Sequence, residues 1–427
     1  MKERIAFVAF YQKDNIYSFN AIIGAIETKE DLKDIKIYFI RGKDKLFRNL
    51  IEIKRKHQIV VLGISFFTTQ LWEISSLVKT LRHKFSNKIM IIAGGPHPTG
   101  DPLRTLQLGF DIVVIGEGEE TVCDILRGLK NNINLSLIKG IAYLDRNKRY
   151  QFTGKRQLID LDSFPPFPIK NAQFGAIEIT RGCPYVCYYC QTPYILGTNP
   201  RHRSVNSICR YIEIMKKENL TDIRFISPNA FSYGSKDGKI IDIVKIEELL
   251  SSVRKIIGTA GKIFFGSFPS EVRPEHVKKE TLSLILDYAD NDNIIIGAQS
   301  GSQRILDLCH RDHTIQDVID AVELCINFGL KVNVDFIFGL PYETEKDMEK
   351  TINMIYLLTT KGARIHAHAF IPLPQTPFAQ KIATPINKKI KEVINSLNSK
   401  GLAFGEWKKQ EKLAIKISKH LRSLNKI

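Results

Sequence analysis

Long apolar runs are missing from this sequence of 427 residues. The longest, residues 59–67 (IVVLGISFF) and 88–93 (KIMIIA), have the length of buried strands, far below the roughly 20 residues that span a bilayer. No membrane partner is therefore expected. The opening MKERIAFVAF runs straight into a strand-like stretch, with neither the apolar core nor the cleavage site of a secretory signal, so a cytoplasmic location is expected. Cysteine is scarce: seven residues exclude a disulfide scaffold. Repeats of 20–50 residues and low-complexity tracts are also absent, which excludes a solenoid. Acid is short relative to base, with 45 Asp/Glu against 62 Lys/Arg and a net charge of +17.

What is present is an ordinary globular composition, 44% apolar and 25% charged, on a chain long enough for two domains and an appendage. Residues 1–145 alternate strand and helix. Strands are expected at 5–10, 35–40, 59–67, 89–93 and 111–115, with helices at 16–26, 43–57, about 70–85 and 119–129. Such a rhythm predicts an α/β fold, here a Rossmann-like parallel five-stranded sheet covered on both faces. Ligands on these sheets bind at the carboxyl ends of strands, which are residues 11–20, 65–70, 94–100 and 116–120. Residues 146–172 change character. Residues 147–156 are polar and hairpin-like. LDSFPPFP at 161–168 has three prolines in eight residues, and proline fixes φ and removes a donor, so a stiff proline-rich linker is expected.

The strand–helix rhythm restarts at 176. Strands are expected at 176–180, 222–226, 262–266, 293–298, 332–338 and 364–371, with helices between them. Six strands fall short of a closed eight-stranded barrel and fit a partial (β/α)6 barrel over 173–378. Residues 379–427 form a basic helical extension; 386–427 hold eleven Lys/Arg and three Glu. Leu413, Ile415, Ile417 and Leu421 lie on an amphipathic stretch there, and packing on the barrel is the favoured use of such a face. The charge run is read as a solvated helix face or as a surface for an acidic partner.

The strongest chemical signal is EITRGCPYVCYYC at 178–190. Cys183, Cys187 and Cys190 follow the first barrel strand at C-x3-C-x2-C spacing. Three thiolates on one loop can hold three corners of an iron–sulfur cubane, whereas a purely structural cluster takes four. Cys209 lies nineteen residues beyond, on an expected helix, so one iron would stay open, as a catalytic metal requires. A zinc site made by the three cysteines and His202 is the alternative, though zinc knuckles are usually spaced differently. Cys309 and Cys325 stand alone on expected helices and read as buried apolar residues.

This spacing, with the aromatic Tyr189 before the last cysteine and a six-stranded partial barrel behind it, resembles the radical S-adenosylmethionine (SAM) superfamily. The resemblance implies that the open iron of a 4Fe–4S cluster chelates SAM, that Tyr189 contacts adenine, and that one electron releases a 5′-deoxyadenosyl radical. The family's Gly-Gly-Glu after the second strand is replaced by Ser227-Pro228-Asn229, so Ser227 or Asn229 takes that role. GAQSGS at 297–302 resembles the stretch that reaches the ribose and methionyl carboxylate through Gln299 and Ser300. DFIFGLP at 335–341 resembles the motif beside adenine, with Asp335 and Ile337 as its contacts; Glu343 is one residue off the usual spacing. His366, His368 and residues 370–377 match the sixth-strand region.

A parallel sheet ahead of such a barrel resembles the cobalamin (B12)-binding domain of B12-dependent radical SAM enzymes. Ser65 and Thr68, then Gly94, Gly95 and His97, then Gly116, Glu117 and Gly118 stand at its strand ends. Small residues there let a large flat ligand approach the backbone. Many B12 proteins carry Asp-x-His-x-x-Gly after the first strand. Here 11–20 (YQKDNIYSFN) has no histidine, which leaves water, no ligand, or Tyr11 or Tyr17 below cobalt. Methylthiotransferases hold a second cluster on three N-terminal cysteines, but Cys123 stands alone in this region. The layout also resembles two-domain proteins of methanogenic archaea. The resemblance thus implies a C-methyltransferase that moves a methyl from SAM by way of methylcobalamin to an unactivated carbon. Relatives act on protein side chains such as a glutamine of methyl-coenzyme M reductase. The alternative is a B12-dependent rearrangement, cyclisation or oxidation. An acidic ferredoxin or flavodoxin is the expected electron donor, and nucleic acid is not an expected partner.

Overall fold

The apolar, β-branched runs of the N-terminal half form a sheet of strands β1 (Glu3–Phe10), β2 (Lys36–Ile40), β3 (His57–Ser65), β4 (Met90–Gly94), β5 (Ile112–Val114), β6 (Ile141–Leu144) and β7 (Tyr150–Phe152), in a computed structural model that describes residues 3–422. The order is β2-β1-β3-β4-β5-β6-β7. The first five strands are parallel, as expected, and β6 and β7 add an antiparallel extension. Only β7 lies in the polar segment 147–156 read as hairpin-like; its partner β6 precedes that segment. The turn between them is held by Asp145, whose carboxylate accepts from the Asn147 and Arg149 amides at 2.8 and 2.9 Å.

Alternation along β1 divides the core of this unit. Ala6, Val8 and Phe10 join one cluster with Leu50 and Leu77, residues of helices Lys43–Lys56 and Leu71–Phe85. Ile5, Phe7 and Ala9 join another with Ile23 and Ile125, from helices Ile16–Glu27 and Glu119–Asn131. A period of two in the strand thus meets helices on both faces of the sheet. Leu161 and Phe164 belong to the second cluster. The proline-rich stretch therefore lies within the first unit, which ends at Gly175. Its aromatic and aliphatic side chains gain more from burial than a solvated connector would.

The second unit begins at Ala176. Its strands are β8 (Ile177–Glu178), β9 (Thr180–Arg181), β10 (Arg201–His202), β11 (Asp222–Ile226), β12 (Lys262–Phe264), β13 (Asn293–Gln299), β14 (Lys331–Phe338), β15 (Arg364–Ala369) and β16 (Ala403–Phe404). β8, β11 and β12 form one parallel sheet, and β13 to β16 form another. An Ile295 N–H donated to Gly266 O at 3.1 Å and a bridge between Val272 and Ile296 join them. These are the six expected strands, the β9–β10 pair, and a further strand, β16, from the C-terminal region. Side chains alternate here too. Ile294, Ile296, Val334, Phe336, Ile365 and Ala367 are buried, while Ile295, Gln299, Asp335 and His366 line a cavity.

The C-terminal region packs on this unit. Helix Trp407–Arg422 buries Trp407, Ala414, Ile417 and Leu421. Ile415 is instead 49% exposed, so the apolar stripe is narrower than the sequence pattern suggests. Lys426 of the basic run lies outside the described residues. No helix among the described residues is long and apolar enough to cross a membrane. Ile417 is fully buried, so Ile417→Ala should cost about 2–5 kcal/mol of stability, read as a lower denaturation midpoint with an unchanged slope.

Candidate active site

Residues 183–190 leave β9 through a turn that only glycine accommodates. Gly182 has φ +92°, and a Cβ there would stand 2.5 Å from Asn199 O. Backbone bonds then fix the loop: Cys183 N–H to Gly197 O at 3.1 Å, Cys190 N–H to Cys187 O at 3.1 Å, and Tyr188 N–H to Cys309 O at 3.0 Å. Cys183, Cys187 and Cys190 have free thiols and all line one cavity of about 350 Å³. Burial raises the Cys183 thiol above its ordinary pKa and takes Cys190 up to about 11. These thiols become thiolates at neutral pH only when a metal supplies the charge.

The zinc alternative fails on His202. One ring nitrogen pairs with Thr180 Oγ1 at 2.9 Å and the other with Ser235 O at 2.8 Å, so neither is turned to the thiols. Cys309 and Cys325 are buried, as expected. Cys123 is buried too, its thiol raised to about 12.

The remaining walls come from strand ends. Ser227, Pro228, Ser270, Glu271, Gln299, Arg311, Asp335 and His366 complete the cavity with Tyr189. Ser227 thus faces the cavity, whereas Asn229 braces the neighbouring loop. Its amide pairs with His276 Nδ1 at 2.7 Å and accepts from Arg273 N–H at 3.2 Å. Ser300 is buried, its Oγ accepting from Ser302 N–H at 3.2 Å. Ile337 packs in a small cluster with Tyr189, Leu340 and Phe370. Asp335 Oδ1 lies 2.9 Å from His366 Nδ1, which lies 3.1 Å from His368 Nε2.

Among the wall residues that escape the sequence reading, two are charged, Glu271 and Arg311. Arg311 donates from Nη2 to Gly297 O at 2.8 Å, and Nη1 approaches Cys187 Sγ at 3.9 Å. Gly297 leaves room for it, since a Cβ there would lie 2.6 Å from Nη2. Burial pushes Glu271 up to about 7, the Asp335 carboxyl adds to the rise, and Arg311 opposes it. The available signal for Glu271 was its place just after a barrel strand, where ligands bind. Arg311 lies in a turn beyond a short helix, and no motif marks it. Glu343 is also buried; it accepts from Gly339 N–H at 2.9 Å and is raised to about 7 by burial.

In the first unit the residues singled out gather along one edge of the sheet. Ser65 pairs with Gly94 at the ends of β3 and β4. Gly95 has φ +94°, and a Cβ there would meet Ser65 Oγ at 2.7 Å. His97 is buried, its Nδ1 3.1 Å from Thr68 Oγ1 and its ring against Phe66. Gly116 N–H donates to Thr99 Oγ1 at 3.1 Å, and Glu117 accepts from Ile159 N–H at 2.8 Å. Gly118 precedes helix Glu119–Asn131. Tyr11 is in the core, donating its hydroxyl to Asn20 at 2.7 Å, while Tyr17 is 42% exposed.

Residues 177–355 match the radical SAM superfamily, and residues 29–126 match the B12 binding domain. The chain thus carries a B12 binding domain followed by a radical SAM domain. A relative in Pyrococcus horikoshii, the uncharacterized methyltransferase PH0819, is 26% identical over 332 residues, 75% of this chain and 69% of that one. The solved structure of TsrM from Kitasatospora setae, a radical SAM methyltransferase with cobalamin and an iron–sulfur cluster bound, aligns at a TM-score of 0.69 and 15% identity, covering 90% of this chain and 78% of its own. The cobalamin-dependent radical SAM enzyme OxsB aligns at 0.64 and 16%, covering 83% of this chain. This chain spans about half the length of OxsB, 52%. At these identities the likeness to the two structures is one of fold.

A B12-binding radical SAM enzyme holds a 4Fe–4S cluster, SAM and cobalamin, and the residues present fit them. Three free thiols share a cavity whose wall carries a buried Tyr189 hydroxyl and an Arg311 Nε with no partner in the protein. Buried polar atoms of this kind await a ligand. At Gly94 a Cβ would meet nothing within 4 Å, so the strand end is an open ledge.

The two raised carboxyls, Glu271 and Glu343, set a pH dependence. Each binds its proton more tightly folded than unfolded, so its contribution is complete below about pH 4.5 and is lost as pH rises through about 7. Stability of the cofactor-free protein should fall between pH 5 and 8. Glu343→Gln should flatten that fall by up to about 1.4 kcal/mol per pH unit, measured by urea unfolding across the range.

Proposed function

We propose that this enzyme is a cobalamin-dependent C-methyltransferase that moves a methyl group from SAM to an unactivated carbon. The observation that carries the reading is the joining, in one chain, of a three-thiol cavity with a glycine-edged B12-binding sheet. Cys183, Cys187 and Cys190 would hold three irons and leave the fourth open to SAM. When bound, the cluster supplies the electron that opens SAM, and cobalamin supplies a cobalt that carries methyl groups.

The protein's own residues bind and orient. Arg311, buried beside Cys187, offers a fixed cation for the methionyl carboxylate, and Glu271 offers a carboxylate for the ammonium. Tyr189 and Gln299 give polar atoms to the rest of the SAM molecule. Ser65, Thr68, Gly94, Gly95, His97, Gly116, Glu117 and Gly118 would form the cobalamin edge. The electron would come from a small acidic carrier. Exposed Lys408, Lys412 and Lys419 on helix Trp407–Arg422 suit such a partner by charge. A protein side chain is the substrate class this reading favours.

Methyl-labelled SAM should give labelled product in a 1:1 ratio of label to turnover, read by mass spectrometry; unlabelled product from an active preparation ends the methylation reading in favour of rearrangement or oxidation. Arg311→Met should weaken SAM binding about tenfold or more, as loss of a charge-assisted contact of about 1.5–3 kcal/mol demands, measured by equilibrium dialysis with iron content unchanged.

A further inference from the structure

The histidines of β15 take no part in that assignment. His366 and His368 are two residues apart on one strand, so both face the same side, and β14 pairs Asp335 directly with His366. Three potential ligand atoms converge there: Asp335 Oδ1, His366 Nδ1 and His368 Nε2, all within 4.8 Å of one another. Their separations are 2.9, 3.1 and 4.0 Å. A triangle with those sides has a centre roughly 2.0 Å from each corner, the distance at which zinc is held by imidazole nitrogen and carboxylate oxygen.

Three further observations favour a cation over a shared proton alone. First, the side chains of His366 and His368 are 31% and 29% exposed, and Asp335 and His366 line the cavity, so the group is reachable. Second, the His366 ring is fixed by stacking on Phe404, centroids 4.4 Å apart at 8°. A metal-binding imidazole needs such orientation from its surroundings. Third, among the described residues lining the cavity, Arg311 is the single permanent cation against two carboxyls, Glu271 and Asp335. Its guanidinium donates to Gly297 O and approaches Cys187 Sγ.

We propose that Asp335, His366 and His368 form a metal site separate from the three thiols, taking one divalent cation of the zinc and iron(II) class. Two imidazoles and a carboxylate suit these borderline metals better than magnesium or calcium. Three protein ligands leave further positions open, and these face the cavity, where a substrate carbonyl, carboxylate or hydroxyl oxygen could enter. The site stands independently of methyl transfer.

The test uses the full-length protein carrying its iron–sulfur cluster, incubated anaerobically with Zn²⁺, desalted and analysed for zinc and iron. One zinc per chain should remain beyond the iron. His368→Ala and His366→Ala should each lower zinc affinity at least tenfold with iron retained, which reports that the variant is folded; His368→Gln replaces the alanine variant if iron is lost. His368→Cys, which restores a ligand, should keep the zinc. A triple Cys183→Ala, Cys187→Ala, Cys190→Ala variant should lose iron and keep one zinc. Wild-type zinc affinity in both His368→Gln and His366→Ala, or disappearance of the zinc with the cysteines, overturns the proposal. Metal content is read without turnover, so failure of the methyl-transfer reading leaves this test intact.

Discussion

The loop of residues 183–190 is tied by its backbone to distant parts of the second unit, and the rest of the site depends on that anchoring. Gly197, Cys309 and Phe378 belong to separate segments, yet each bonds the main chain of this one loop. Three free thiols in a flexible loop would reach many positions; in a loop pinned at three points they share one cavity. Gly182 supplies the turn that starts it. The chemistry therefore rests on main-chain geometry first and on sulfur second.

Charge follows the same economy. A buried guanidinium is costly unless it is paired and hydrogen-bonded. Arg311 meets Gly297 O and approaches Cys187, while Arg273 supports its turn by donating to Arg311 O. Gly297 is part of that arrangement, since any side chain there would displace the guanidinium. The cavity thus keeps a cation beside its thiols and carboxyls on the facing strand ends, an asymmetry suited to a zwitterionic ligand. In the first unit the edge joins small residues and backbone to buried His97 and Glu117, and its glycines suit a broad, flat ligand held by shape.

The parts of this protein that were legible in sequence are those governed by local rules. Short apolar runs recurring in a strand–helix rhythm located all five parallel strands of the first unit and all six of the barrel, because continuous β-branched runs of that length have few other uses. The cysteine spacing marked the loop whose three thiols line one cavity, since those residues lie within eight positions of chain. What could not be read depends on contacts made at long range. Glu271 and Arg311 look like ordinary charges in polar loops until folding brings them to the cavity. Asn229, next in sequence to a wall residue, turns instead to His276. The proline-rich stretch reads as a connector by composition, but Leu161 and Phe164 are drawn into the core by tertiary packing. Ile415 fits an apolar stripe on paper and faces solvent because the helix contacts its neighbours over a narrower arc.

The short strand β16 has a consequence for how such proteins are built. The superfamily match stops at residue 355, but β15 follows it, and β16 covers the outer edge of β15 while Phe404 supports the ring of His366. Gly405 lets this segment approach so closely that an added Cβ would touch Ala367 O at 2.2 Å. The portable catalytic module is therefore larger than its recognisable signature. Any exchange of this barrel between proteins, by evolution or by hand, must carry the tail that closes its flank.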